Sequence, residues 1–487
     1  MSALVRALAA ALATAAAAPA AAGVRPAHGG ALRLGLPALP RTTDPALALD
    51  LPDVVAARAT SGALLALDVR GELVPALLAE VPQPEVGGRA FRLRLRADAV
   101  TWTGAPITAD DLAAAFARLA SPATASPHAW AVLPVLGADA MLAGRAAALA
   151  GVQVVGEREL LVTLATPLPE FAHVLAALPL AIPGAGPFAP PPSLEPHGGA
   201  IVLAHNDRCP AGRPYLSSLV LAVADGRADP RAAARALDRG DLDLVLRPEP
   251  AGPRGGPAFP ATVATVAALQ AGRLGSGAEA VRRALGALDR ADLARRYARG
   301  PSEPMATLVP PALLPGVAAP GALALASGDA PPGFPQASRI ALLVPEGASD
   351  ARAAAERIQV KLFDAGVRVA VEALPRARFE ARLAAGDYDV ALVPVPVLSA
   401  RPSLAVAQVA YAIRGPEGFR RALDALAGLP AGEVAAAAAQ LESALDLVPL
   451  FASAPRATAG PAAQGLRPDP AGGFDPGELW RLGGGAP

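Results

Sequence analysis

Five histidines, one cysteine and scattered carboxylates are the residues of this chain that could do chemistry. The histidines are His28, His128, His173, His197 and His205, and no two stand four apart, the spacing that puts two imidazoles on one helical face for a metal. His197 and His205 are near in sequence but lack a third ligand beside them. Cys209 is alone, so no intramolecular disulfide and no Cys-based zinc or iron–sulfur site can be built from the chain. A G-x-S-x-G nucleophile elbow and a G-x-x-x-x-G-K-[ST] phosphate loop are both missing, and Gly272-Arg273-Leu274-Gly275-Ser276-Gly277 has the wrong spacing for a dinucleotide fingerprint. Asp110-Asp111 fits a helix start better than acid/base catalysis, because adjacent helical positions point in different directions. The residues give an enzyme no positive support and call for no cofactor.

Composition narrows the classes further. At 487 residues the chain has room for about three domains. Lys plus Arg (43) balances Asp plus Glu (43), which gives no support to a nucleic-acid-binding surface. Charged residues make up 18% and the hydrophobic class 53%, so the chain is built to fold, although much of that class is alanine. Pro (53) and Gly (47) predict many turns and broken helices. Arg6 precedes an uncharged, alanine-dominated run from Ala7 to Ala22, with small residues at a cleavage spacing, so residues 1–22 read as a secretory signal peptide. The expected location is periplasmic, without the cysteine that a lipoprotein anchor needs. Beyond the leader, no stretch offers some 18 apolar residues free of proline and charge, so no membrane span is expected.

The elements that would position a site follow from periodicity. Ala31 to Gly35 and Phe91 to Leu95 alternate as strands, and Thr108-Ala109-Asp110-Asp111 opens a capped helix to about Leu119. Leu160–Leu164, Ala200–Ala204, Leu219–Val223 and Asp241–Leu246 read as strands, and Phe171–Leu178 and Arg231–Leu237 as helices. Residues 247–260 are Pro/Gly-rich and read as a linker between lobes. Ile340–Val344, Asp350–Phe363, Val367–Val371, Arg376–Ala385 and Tyr388–Val393 form β-α-β-α-β, with Gly366 as a left-handed helix stop. Short connections of that kind imply a parallel α/β sheet with right-handed crossovers.

A run of short motifs then resembles the extracytoplasmic solute-binding proteins of family 5, which serve ABC importers of oligopeptides, dipeptides and nickel. Gly71 to Ala79 is similar to that family's "g-x-l-x-P-x-L-A" stretch, and Gly104 to Asp111 to its "G-x-P-x-T-A-x-D" helix start. Leu119 to Ala129 is similar to the oligopeptide-binding branch. Gly184 to Phe188 resembles "G-T-G-P-[FY]", and Gly212 to Leu216 resembles "G-R-P-Y-L". Gly240 to Asp243 resembles "G-x-x-D", Arg282 to Arg290 the "R-x-A-x-x-x-x-D-R" helix, and Leu447 to Phe451 the late "x-P-L-[FW]" strand. The resemblance implies a two-lobed periplasmic-binding-protein clamp (type II, cluster C-like) with an extra domain inserted in lobe I. On that plan lobe I is 24–50, 178–250 and 447–487, the inserted domain is 51–177, and lobe II is 251–446. It implies a monomer that captures a peptide or other small solute between its lobes and docks on a membrane permease. The competing reading is a ligand-sensing or protein-interaction module descended from the same fold.

The pattern breaks at one place. After Tyr388–Val393 the family carries "G-W-x-x-D-x-x-[DE]-P", whereas this chain reads Pro394 to Pro402, with Val395 at the Trp position, Leu398 at the first Asp and Arg401 where acid is usual. In oligopeptide binders, the resemblance implies, that Asp receives the peptide's α-ammonium, a role leucine cannot fill. The candidate ligand-binding residues are Thr42 and Thr43 after the first strand, His128 and Trp130, and Val395, Leu398, Arg401 and Tyr411 in or after the changed loop.

Overall fold

The computed structural model describes residues 26–482 except 69, 225–230, 249–254, 299, 318–338 and 365; the leader read at 1–22 and part of the 247–260 linker lie outside the described residues. Three sheets organise the chain. The first has five strands in the order Ala200–Ala204, Ser218–Val223, Ala31–Leu36, Leu244–Arg247 and Arg456–Ala459. Its two central pairings are parallel and its outer two antiparallel. Leu32, Leu34 and Leu36 are fully buried, as the alternation requires.

The second sheet has six strands: Ser302–Pro304, Leu447–Ser453, Val263–Leu269, Val390–Pro396, Arg339–Pro345 and Arg368–Leu374. The β-α-β-α-β reading falls here. Arg339–Pro345 lies parallel to both Arg368–Leu374 and Val390–Pro396, and the helices Ser349–Asp364 and Arg376–Ala384 cross between them. Gly366 has φ of 77°, the left-handed stop its position called for. A third, antiparallel sheet in the order Pro84–Glu85, Ala90–Arg94, Glu159–Thr163, Val152–Gly156 carries the helix Ala109–Ala120. There Phe91 and Leu93 are buried, while Arg92 turns outward to Glu159 at 2.6 Å. Thr108 and Asp111 close a capping box at that helix's start, the Thr108 N–H donating to Asp111 Oδ2 at 2.8 Å.

The chain passes between the first two sheets twice, after Arg247 and after Ser453, and the two passages touch through a bridge between Ala258 and Arg456. Leu447–Ser453 therefore sits in the second sheet, hydrogen-bonded to Val263–Leu269; the boundary set at 447 from the sequence moves to about 454. The third strand of the β-α-β-α-β unit also runs later than Tyr388–Val393. It continues through Pro394 and Pro396 because its parallel neighbour covers only Val390 and Ala391, so prolines further along leave no ladder donor unmet on that side. Two helices that periodicity did not resolve, Pro402–Leu426 and Ala431–Ala444, pack on each other behind this sheet; the first bends at Gly415, with φ 63° and ψ −155°, just before Pro416.

Candidate ligand-binding cleft

A cavity of about 1730 Å³ lies between the two larger sheets, with walls from both lobes and from the inserted domain. One wall is the segment from Pro37 to Asp53, which runs from the first sheet across the expected boundary at residue 51. Helix Leu51–Thr60 carries Pro52 as its second residue, where a missing N–H costs no intrahelical bond, and presents Asp53 in its first turn. Asp53 is 2% exposed and accepts the Arg41 backbone N–H at 2.7 Å and Arg41 Nη2 at 3.0 Å. Arg41 Nη2 also reaches Asp50 at 2.7 Å. From the opposite wall, Arg376 donates to Asp50 at 2.6 Å and to Glu380 at 2.8 Å. Glu380, Arg376, Asp50, Arg41 and Asp53 thus form one chain of alternating charge that crosses from lobe to lobe. Ser403 Oγ donates to Glu170 at 2.6 Å, and Arg420 pairs with Asp139, so two more polar contacts join the second lobe to the inserted domain.

The inserted domain adds Pro127, His128 and Trp130 to the wall. Ser126 Oγ donates to the Ala46 carbonyl at 2.6 Å, and His128 Nε2 lies 2.6 Å from the Ala48 carbonyl. A carbonyl can only accept, so Nε2 carries the proton. Burial first, then the nearby Arg376 charge, push the His128 imidazolium down to about 4, although the Ala48 bond works the other way. His128 is therefore neutral at pH 7 and serves as a clip on the loop at residues 46–48. Between its unfolded value and about 4, the unfolded chain holds a proton here that the folded chain refuses, so stability is full above pH 6.5 and is lost as pH falls. The complete loss is roughly 3 kcal/mol. Urea unfolding at pH 7 and pH 4.5 should show the native chain losing about 2 kcal/mol more than a His128→Gln variant. Equal losses would remove His128 from the acid response.

The second-lobe wall is built from Val393 to Pro396 and from the helix Pro402–Leu426, which offers Gln408, Tyr411 and Arg414. Gln408 is 3% exposed; its Oε1 accepts the Leu398 N–H at 2.8 Å, and its Nε2 has no partner among the described residues. Burial pushes the Tyr411 phenol up, so it stays a protonated donor. Arg414 donates to the Leu445 and Leu269 carbonyls at 2.9 and 2.7 Å and to the Tyr388 hydroxyl at 2.5 Å. Among the described residues no group of three His, Cys, Asp or Glu could hold a metal, and no helix is long and apolar enough to cross a membrane. Cys209 is buried and free, and burial raises its thiol.

Of the residues named from the sequence, the cavity wall contains His128, Trp130, Val395 and Tyr411. Val395 is there as a strand residue opposite Ala264, not as part of a loop. Thr42, Thr43, Leu398 and Arg401 lie off the wall. Thr42 Oγ1 accepts the Asp44 N–H at 3.0 Å and shapes the turn instead. Arg401 is exposed just before the helix Pro402–Leu426 and faces the inserted domain, where burial first and its charge second push His173 down to about 4. Leu398 is half-buried against the core, so Leu398→Asp should cost about 2 kcal/mol without improving binding of any free-amino peptide; a gain in calorimetric affinity would put that side chain back on the wall. The sequence reading passed over Arg41, Asp50, Asp53, Arg376 and Gln408. One signal was present for Gln408: a single polar residue inside the apolar run Leu404 to Ala410.

A family model for bacterial extracellular solute-binding proteins, family 5 (middle region), matches residues 72–402. The periplasmic murein peptide-binding protein MppA of Escherichia coli is 32% identical over 140 residues, 28% of this chain; the match spans about a quarter of that relative's length (26%). The solved structure of the Escherichia coli murein tripeptide binding protein MppA superposes with a TM-score of 0.71 at 18% identity, covering 93% of this chain and 98% of that one. Haemophilus influenzae OppA in complex with the peptide RPPGFSPFR gives 0.72 at 19% identity, covering 94% of this chain and 100% of that one. These superpositions give the fold: a mixed α/β, two-lobed periplasmic-binding-protein clamp.

Proposed function

We infer the function of this chain from the family it belongs to, the bacterial extracellular solute-binding proteins of family 5: it captures a peptide or peptide-like solute between its lobes and hands it to the membrane permease of an ABC importer. The observation that carries this reading is the cavity, walled by both lobes and bridged by the Arg376–Asp50 pair. Its 1730 Å³ exceeds the roughly 300–1,000 Å³ of ordinary small-molecule pockets, which suits an extended oligomeric solute better than an ion or a single amino acid. The relatives named for murein peptide, murein tripeptide and the peptide RPPGFSPFR point to the same solute class. The protein works as a monomer in the periplasm, exported by residues 1–22, and performs no reaction of its own. Binding shifts the lobes toward the engaged state that the permease reads.

The test is a thermal-shift screen of the chain lacking residues 1–22 against free and N-blocked di- to pentapeptides, nickel chelates and apolar solutes. A solute at 100 times its dissociation constant adds about 2.7 kcal/mol and should raise the melting temperature visibly. A shift with peptides alone is the expected result. A shift only with chelates or apolar solutes would overturn the peptide assignment while leaving solute capture in place.

A further inference from the structure

The second-lobe wall has an electrostatic sense of its own. Gln408, Tyr411 and Arg414 recur every three residues along the helix Pro402–Leu426 and all line the cavity. The Leu398 N–H can only donate, so the oxygen of the Gln408 amide must face it, and this fixes which way the amide is turned. What remains is an NH₂ group, in a side chain 3% exposed, with no acceptor among the described residues. A buried donor left this way costs free energy that a ligand oxygen would recover. Three residues on, the Tyr411 hydroxyl stays protonated, and the Arg414 guanidinium hydrogen-bonds only to neutral acceptors. Three of the lining carboxylates are already engaged: Asp53 with Arg41 and Asp50 with Arg41 and Arg376 across the cleft, and Glu380 with Arg376 on the helix's own side. Glu346, exposed in the turn after the strand Arg339–Pro345, is a lining carboxylate without a partner among the described residues, so the counter-charge available to an ammonium stands away from the helix.

We propose that Gln408, with Tyr411 beside it, forms a subsite for an oxygen acceptor of the solute, an acyl carbonyl or a carboxylate, and not for an α-ammonium. This rests on the peptide reading above and specifies which end of the solute meets the helix. The subsite's selectivity is that of a paired against an unpaired buried donor, a difference of about tenfold or more in affinity.

Calorimetric titration of the exported chain with tri-alanine, N-acetyl-tri-alanine and tri-alanine amide tests it in two variants. Gln408→Glu keeps the oxygen that holds the Leu398 N–H and replaces the donor with a second acceptor; Gln408→Met removes both. Melting curves establish that each variant is folded. The expected result is that Gln408→Glu weakens the tightest of the three probes about tenfold or more. Loss confined to N-acetyl-tri-alanine identifies an acyl carbonyl as the bound group; loss for tri-alanine and N-acetyl-tri-alanine but not for the amide identifies the carboxylate. Unchanged affinities for all three, or tighter binding of the two free-amine probes by Gln408→Glu, would overturn the subsite while leaving peptide capture intact. Failure of every peptide to bind the folded native chain would remove the peptide reading, and the subsite with it.

Discussion

Replacing Gly186 with alanine should destabilise the protein by about 3 kcal/mol, a heavy loss for one methyl group. A Cβ at that position would stand 2.5 Å from the Ser61 nitrogen, 2.5 Å from the Thr60 carbonyl carbon and 2.7 Å from the Ala59 oxygen. All three are backbone atoms, so no side chain can rotate away. The close approach exists because this turn is stitched to the end of helix Leu51–Thr60: the Gly184 N–H donates to the Thr60 carbonyl at 2.8 Å and the Phe188 N–H to the Ala59 carbonyl at 2.8 Å. Asn206 Nδ2 holds the Gly186 carbonyl from the other side at 2.8 Å. The matching control is Gly432, in the first turn of helix Ala431–Ala444, where a Cβ meets nothing within 4 Å; alanine there should leave the melting temperature unchanged or slightly raised. Equal melting temperatures for the Gly186 and Gly432 variants would show that the turn yields to the methyl group.

The second large effect concerns closure. Asp50→Arg replaces the one anion that links Arg41 to Arg376 with a third cation. Each of these side chains is part-exposed, so the loss of two attractions and the gain of two repulsions amounts to about 2 kcal/mol once solvent screening is allowed for. Peptide affinity should fall by roughly 30-fold, and the radius of gyration from small-angle scattering should rise as the lobes part. Both changes should shrink at high salt. Adding Arg376→Asp restores an opposite pair across the cleft and should recover part of the affinity. An unchanged radius and unchanged affinity would show that the ion chain plays no part in holding the lobes together.

Much of this architecture was readable from residue order because its local rules agree with its tertiary contacts. The alternation in Phe91 to Leu95, the Thr108–Asp111 box and the Gly366 stop each state their structure within a few residues. The failures have equally local causes. Val263–Leu269 lies between two other strands, and six of its seven residues are buried, so it is a run apolar on both faces apart from Thr265, without period. Pro402–Leu426 contains Gly415-Pro416, which reads as a break, yet packing on Ala431–Ala444 carries the helix through with a kink. Site residues were harder still. Arg41, Asp50, Asp53 and Arg376 are ordinary charges until the fold sets residues 50 and 376 in contact. Leu398 stands at a motif position, but its side chain packs against the core while its backbone N–H is held by Gln408, ten residues away on the following helix.

The double passage between the lobes also leaves the first sheet to be completed by the last part of the chain. The whole second sheet, including Leu447–Ser453, is in hand before Arg456–Ala459 arrives to cover the edge of Leu244–Arg247. Until then the strand Leu244–Arg247, paired on one side with Ala31–Leu36, carries a bare outer edge on which another chain could dock and aggregate. A chain cut after Ser453 would keep every strand of the second sheet and leave that edge permanently bare. The tail from Arg456 onward is thus a clasp: its Arg481 reaches Asp243 at 3.3 Å, in the lobe whose first strand begins at Ala31, and its Asp469 reaches Arg58 at 2.9 Å, on the helix Leu51–Thr60.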